Sequence, residues 1–355
     1  MKKKLLFVVS VYRQGERIHP TIPSLSKHFD LSLLSVHQMS YKQPWNGSID
    51  MRDEFHNMYG SYFTDTYDDW RGVDYSQFDA ILFDDSRDKG FEIPTKIIYP
   101  IAKQNGVKVF GNQHGNYEFS SKSFEVDHFK KVFDYCFLLG KFEKDIFSKY
   151  VDENTYLLGG IPSNDSLKKY ERTDENILVI TNFLENERKV FPTTFGDDFV
   201  KKTKLYDLQQ KYGKKVIVKI KNRDRHFAQG NPYNQDIDFV KSVLRKNAIW
   251  GDVLRDVEDD NLMISKAHFV ISTPSTLCFK PIQMGVPTII LEGGGFTGAF
   301  KDFYGFCSYD KIEINIENQM KRGRDLEYIM NNIEGGVDYN STDAYVNELI
   351  RIVGI

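Results

Sequence analysis

Short apolar runs bounded by turn residues alternate with longer stretches of helical spacing, and the chain goes through this alternation twice. The first series comprises the runs at 5–11, 31–36, 80–83, 107–110, 135–139 and 156–158; the second comprises those at 177–180, 216–219, 269–272 and 288–291. Continuous short runs rich in Val, Ile, Leu and Phe are strands covered on both faces, and strands separated by helices pair in parallel. Between two runs of the first series, TKIIYPIAKQNG has apolar residues at helical spacing and ends in Asn105-Gly106, a helix-stopping pair. The two series are divided by GGIPSNDSLKKYERTDEN, which is rich in Gly, Ser and Asn and then in charge, as a domain boundary is. The 355 residues also exceed the ~250 over which one core keeps growing.

This pattern predicts an α/β fold of two Rossmann-like domains facing each other across a cleft. The first domain is expected over 1–168 and the second over 174–328, with 329–355 forming a C-terminal helix that crosses back to the first. The stretch FHNMYGSYFTDTYDDWRG at 55–72 concentrates aromatic rings without clear periodicity and reads as an insertion in the first domain. Such rings either fold over the core or stack on sugar faces and unpaired bases.

A formal charge of −3 supplies no global field toward nucleic acid or anionic lipid. The opening MKKKLLFVVSVYRQGE has too short an apolar core for a secretory signal and is read as the first strand. No window approaches the ~20 apolar residues that span a bilayer. Cys136, Cys278 and Cys307 are far apart and lack metal-ligand spacing, as expected of reduced core thiols in a cytoplasmic protein.

In open parallel sheets, ligands bind outside the carboxyl ends of the strands, where loops enter helices. The exit ISTPSTLCFKPIQMGVPTIILEGGG, 271–295, sets Ser272, Thr273, Ser275 and Thr276 between a strand and a helix that ends at Gly285. Small hydroxyls at a helix start either cap it or add donors for a phosphate. Two further exits carry cations suited to phosphate: Lys219, Lys221, Arg223 and Arg225, with His226, in KIKNRDRHF, and Arg188 in TNFLENER. In the first domain His114, beside Gly115, is the candidate acid–base residue, because a histidine side chain titrates near neutral pH. Asp84, Asp85 and Glu118 are alternative bases from neighbouring exits. The first exit lacks Gly-x-Gly-x-x-Gly, and neither a Walker A sequence, nor His-Glu-x-x-His, nor a supported Asp-x-Asp motif occurs. No nicotinamide cofactor and no essential metal is therefore expected.

ISTPSTLCFKPIQMGVPTII resembles the donor-phosphate segment of two-domain glycosyltransferases of the GT-B fold, where a strand, a Ser-Ser or Ser-Thr pair, an acidic residue and Gly-x-Pro follow in that order. NQHG at 112–115 is similar to their His-Gly loop, and LLGGIPSND at 157–165 to their Gly-x-Pro-x-x-Asp boundary segment. The resemblance, which spans most of the chain, is to CDP-glycerol glycerophosphotransferases and capsule Kdo transferases; UDP-GlcNAc 2-epimerases share the fold. It implies a metal-independent glycosyltransferase that moves a sugar from a nucleotide-activated donor to an acceptor hydroxyl, with no separate cofactor. Ser275, Thr276, Lys219, Lys221, Arg223 and Arg188 would hold the donor phosphate, and His114 would take the proton of the acceptor.

Two departures stand out. Lys280 occupies the place of the acidic residue, and Lys219-Ile220-Lys221-Asn222 the place of Lys-x-His-Pro. A cation at 280 suits a phosphate or carboxylate on the donor better than a sugar hydroxyl. The implied acceptor is a glycan or polymer, with a modified DNA base as the lesser alternative. A polyol-phosphate transferase, a nucleotide-sugar epimerase and a catalytically silent nucleotide- or glycan-binding protein are the other readings that this fold leaves open.

Overall fold

The structure is a computed structural model that describes residues 2–9, 17–35, 52–84, 97–113, 133–149, 152, 155–181, 184–185, 194–220, 234–255, 259–293 and 300–355. It divides into two compact units, the first built from the described residues up to Asp165 together with Ile329–Ile355, the second from those within Ser166–Tyr328.

The first unit is a parallel sheet of β1 (Lys3–Val9), β2 (Phe29–Ser35), β3 (Phe63–Tyr67), β4 (Ala80–Phe83), β5 (Lys108–Asn112), β6 (Tyr135–Leu138) and β7 (Tyr156–Leu158). Its spatial order is β3-β2-β1-β4-β5-β6-β7. Because successive side chains point to opposite faces, β1 feeds two cores. Leu6 and Val8 pack with Ile81, Phe83, Val109 and Leu138, whereas Leu5, Phe7 and Val9 pack with Leu33, Leu82, Phe110 and Phe137. Both faces are covered, so the strand reads as an unbroken apolar run, and each buried Leu or Phe contributes about 1.5–3 kcal/mol relative to exposure.

The last stretch of the chain finishes the second of these cores. Tyr345, Val346, Leu349 and Val353 of the helix Ser341–Val353 pack into it, with Tyr345 stacked on Phe137 at 3.9 Å between ring centres. The segment is also tied to the ends of β6 and β7. The amide of Glu334 donates to the Leu139 carbonyl at 2.8 Å, and the Asp165 carboxylate accepts the amides of Ser341 and Thr342 at 2.9 and 2.7 Å. Gly160 has φ +62°, and a side chain there would overlap the carbonyl oxygen of Glu334. Only glycine meets both demands at no cost.

The second unit is a parallel sheet of β8 (Asn176–Thr181), β9 (Lys215–Ile220), β10 (Gly251–Leu254), β11 (Ala267–Ser272), β12 (Thr288–Leu291) and β13 (Phe306–Cys307), in the order β10-β9-β8-β11-β12-β13. Val179, Val218, Phe269, Ile271 and Ile289 form its larger core, and Leu178, Ile180, Val270, Ile264 and Val286 the smaller one.

The α/β architecture with two Rossmann-like parallel sheets is therefore present, and every run read as a strand coincides with one over its described residues. Three strands lie beyond those runs: β3, β10 and β13, at or next to sheet edges. Within the stretch 55–72, expected to be an insertion in the first domain, Phe63–Tyr67 pairs into the sheet. Phe55 is buried in the core on the helix Arg52–Tyr59, and β3 pairs with β2. Its polar sequence FTDTY, largely exposed, is what an edge strand carries. All three cysteines are buried free thiols. Among the described residues no helix is long and apolar enough to cross a membrane.

Candidate functional site

Each sheet reverses its strand order once. In the first, the chain runs outward from β1 through β2 to β3 and returns on the other side of β1 as β4; in the second, it runs from β8 through β9 to β10 and returns beside β8 as β11. Loops leaving the two strands at such a reversal diverge, and the crevice they open at the carboxyl ends is where ligands bind in open α/β sheets.

At the β1/β4 reversal, Asp84 directly follows β4, and its amide donates to the Val8 carbonyl at 3.0 Å. His19, on the short turn His19–Thr21, places Nε2 3.7 Å from Asp84 Oδ2, with the two side chains 5% and 0% exposed. The imidazole is gripped by rings: Phe55 edge-on at 4.9 Å, Tyr59 at 6.0 Å and Phe7 at 6.1 Å. His19 Nε2 makes no hydrogen bond.

Beside this pair, two amides staple the strand ends. Asn112 donates to the Phe83 carbonyl at 2.7 Å and accepts from the Tyr345 hydroxyl at 2.9 Å. Gln113 accepts from the Leu139 amide at 3.2 Å through Oε1 and donates to Glu143 Oε1 at 2.7 Å through Nε2. Its own carbonyl accepts from the Arg17 guanidinium. Burial pushes the Glu143 carboxyl up to about 8, against the opposing effects of Gln113, the Leu139 amide and the Arg17 charge. Glu143 consequently holds a proton at neutral pH.

At the β8/β11 reversal the chemistry is hydroxylic. Thr273 follows β11, and its amide donates to the Ile180 carbonyl at 3.1 Å, which fixes it where the two strands part. Ser272 Oγ donates to the Thr273 carbonyl at 2.7 Å and accepts from Cys278 Sγ at 3.1 Å. Ser275 Oγ accepts from the Leu277 amide at 3.3 Å and thereby caps the turn Thr276–Cys278, which runs into the helix Phe279–Met284 and stops at Gly285 with φ +72°. The hydroxyls of Ser272 and Ser275 are thus already engaged, and Thr276 is half-buried on the same turn. Thr273 is different: it is 5% exposed and its Oγ1 has no hydrogen-bond partner.

Lys219 lies two strands over, near the end of β9. It is 4% exposed, and its ammonium donates to the carbonyls of Ile220 at 2.9 Å and Arg255 at 3.0 Å, drawing the ends of β9 and β10 together. Lys280 is half-buried on the helix Phe279–Met284 and acts electrostatically on Asp259. Burial raises the Asp259 carboxyl, but the Tyr170 hydroxyl, the amides of Leu262 and Asn261 and the Lys280 charge outweigh it, leaving the group below its ordinary value.

Of the residues singled out from sequence, Ser275, Thr276 and Lys280 thus share one turn and helix, with Lys219 apart from them. His114, Asp85, Glu118, Arg188, Lys221 and Arg223, and also Arg225 and His226, lie outside the described residues. Arg17, His19, Gln113 and Glu143 were missed. Arg17 closes the first strand exit, SVYRQGER, and His19 lies two residues beyond it, so the strand-exit rule extended by two residues reaches both.

No protein-family model matches the sequence, and no curated protein is significantly similar to it. Solved structures are similar in fold. A UDP-N-acetylglucosamine 2-epimerase matches with a TM-score of 0.61 at 12% identity, covering 100% of this chain and 97% of that one. The UDP-GlcNAc 2-epimerase of Neisseria meningitidis bound to UDP-GlcNAc gives 0.57 at 14% identity, over 98% and 100%. A variant of the wall teichoic acid polymerase TagF soaked with CDPG gives 0.52 at 10% identity, over 99% and 89%. The chain thus has the two-domain GT-B-like fold common to nucleotide-sugar epimerases and a teichoic acid polymerase, matched over 89% or more of each.

Proposed function

We propose that the protein is a glycosyltransferase of the GT-B type that moves a sugar from a nucleotide-activated donor to the hydroxyl of a glycan or polymer, in the cytoplasm and without a metal. One observation carries the reading most: the buried Thr273 hydroxyl without a partner, at the carboxyl-end crevice of the second sheet. A buried hydroxyl that makes no hydrogen bond costs about 1–3 kcal/mol, and such groups are rare unless something else satisfies them. A donor phosphate supplies acceptor oxygens for it, with Ser275 and Thr276 on the adjoining turn. The leaving nucleotide is the charge that such a site has to stabilise.

A second reading is a nucleotide-sugar epimerase, favoured by the fold similarity to the two epimerases. Both readings require nucleotide binding, and they separate on the acceptor: an epimerase forms product from the nucleotide sugar alone.

The test is a thermal-shift panel of UDP, CDP, CMP, GDP, ADP and their common sugar conjugates. A ligand at ~100 times its Kd stabilises by about 2.7 kcal/mol. One nucleotide series is expected to shift the melting temperature, and Thr273→Val combined with Ser275→Ala and Thr276→Ala to abolish that shift in a folded chain. No shift with any member would remove the proposal.

A further inference from the structure

We propose that Glu143 is a proton-operated switch for Arg17: while the carboxyl is neutral the guanidinium stays on the Gln113 carbonyl, and once the proton leaves, it moves to Glu143 Oε2. The switch lies within the first unit and is independent of the nucleotide reading above.

The backbone around the three residues is held in place. The Arg17 carbonyl accepts from the Ser163 amide at 2.9 Å, and the Gln113 amide donates to the Phe137 carbonyl at 2.9 Å. Glu143 stands in the first turn of the helix Lys141–Phe147, preceded by Gly140, where a side chain would overlap the backbone of Asn332. The Gln113 side chain is tied at both ends, by the Leu139 amide at Oε1 and by Glu143 Oε1 at Nε2. The half-buried Arg17 side chain is the part that can change partner. Its guanidinium meets the carbonyl of the same Gln113 whose side chain meets the carboxyl.

Glu143 Oε2 is buried and makes no hydrogen bond. For a neutral carboxyl that is a modest cost, but ionisation would leave a buried anion short of a donor, which is far more unfavourable. Among the described residues, the charge that acts on Glu143 is that of Arg17. A guanidinium presents several N–H donors in a fork that fits a carboxylate, and a bond between two charged groups is stronger than one to a neutral carbonyl. Loss of the proton therefore reverses which partner Arg17 prefers. Burial pushes the Glu143 carboxyl up to about 8, so the reversal falls at mildly alkaline pH.

The other titratable groups around this corner are placed differently. Lys141 and Asp145 pair with each other on the exposed side of the helix, and Lys144 is half-buried on it. The strands β6 and β7, packed against that helix, bring the Cys136 thiol and the Tyr156 hydroxyl, the latter raised by burial. Tyr345 is bonded to Asn112, and His19 faces Asp84. Glu334, whose amide bonds the Leu139 carbonyl, is raised by its own burial and by Glu348. The switch thus carries a positive charge from the end of β5 to the first turn of the helix after β6.

The experiment uses the full chain labelled in arginine and, in a second sample, in glutamate, observed by carbon-detected NMR from about pH 6 to 10, a range that brackets the Glu143 value. In the wild type the Glu143 Cδ and Arg17 Cζ signals are expected to shift together with one midpoint near pH 8. In Glu143→Gln the Arg17 signal should stay constant. In Arg17→Gln the Glu143 midpoint should rise by about one pH unit or more, the direction in which losing a neighbouring positive charge takes a carboxyl. An Arg17 signal that does not follow Glu143, or that keeps its transition in Glu143→Gln, overturns the inference. So does a Glu143 carboxyl that fails to titrate in the range. If Glu143→Gln does not fold, an unmoved Glu143 midpoint in Arg17→Gln overturns it.

Discussion

The two strand reversals have the same topology and opposite chemistry. Between β1 and β4 stand an imidazole and a carboxylate, backed by a protonated carboxyl and a guanidinium. Between β8 and β11 the described residues bring hydroxyls and the Cys278 thiol, and the nearby Lys219 donates to backbone carbonyls. Sheet order decides where a ligand can sit. The few residues that follow each strand decide whether that place exchanges protons or accommodates an anion.

Variants can break this contrast. The largest effect on stability is expected at Gly160, where alanine would meet both the positive φ and the Glu334 carbonyl. Gly160→Ala should destabilise the chain by about 3 kcal/mol or more in denaturant unfolding. The nucleotide-induced shift assigned to the second unit should survive, and its loss would show that the two reversals do not act separately.

Next in size is the effect of Thr273→Val on ligand binding. It should forfeit about 2.7 kcal/mol of nucleotide stabilisation at ~100 times Kd while leaving the unliganded chain as stable as before, or more so, since an unsatisfied hydroxyl has been removed. Asp84→Asn should leave nucleotide stabilisation intact. If the two variants exchange these behaviours in calorimetry, the division of chemistry is wrong.

Glu143 sharpens the contrast through pH. Its folded-state value of about 8 lies above the ordinary 4.5, so between those values the native chain holds a proton that the unfolded chain has released. Stability should therefore fall as pH rises through this window, by at most about 1.4 kcal/mol per unit, with no further loss above it. Glu143→Gln should flatten that slope, as read from urea midpoints at several pH values. The smallest effect is expected from Tyr345→Phe, which loses the bond to Asn112 and with it about 1 kcal/mol.

The interior strands were legible because burial on both faces leaves an unbroken apolar run, as in β1, β8 and β11. Three edge strands were not, although the edge strand β7 was: β3 is half polar, and β13 is two residues long. Ser275 was legible as a residue at a helix start, and of the two uses weighed for it the structure shows the cap. That Thr273 and not Ser275 keeps an unengaged hydroxyl depends on which carbonyls and thiol lie within reach of Ser272 and Ser275, and spacing does not encode this. His19 and Asp84 are distant in the sequence and meet only because β4 returns beside β1. That adjacency comes from sheet order, to which composition and periodicity are blind.

The seam between the last residues and the ends of β6 and β7 bears on how the protein is made. A nascent chain that has just emitted β7 has a first sheet with one side only partly covered, by Ile18, Ile22, Leu25 and Phe55, since Tyr345, Leu349 and Val353 are still to come. The second unit, whose described residues all lie within Ser166–Tyr328, is synthesised in full before that side can be closed. During translation the earlier-made half should therefore mature last, and a ribosome stalled before residue 341 should display an oily, chaperone-seeking sheet beside a finished partner.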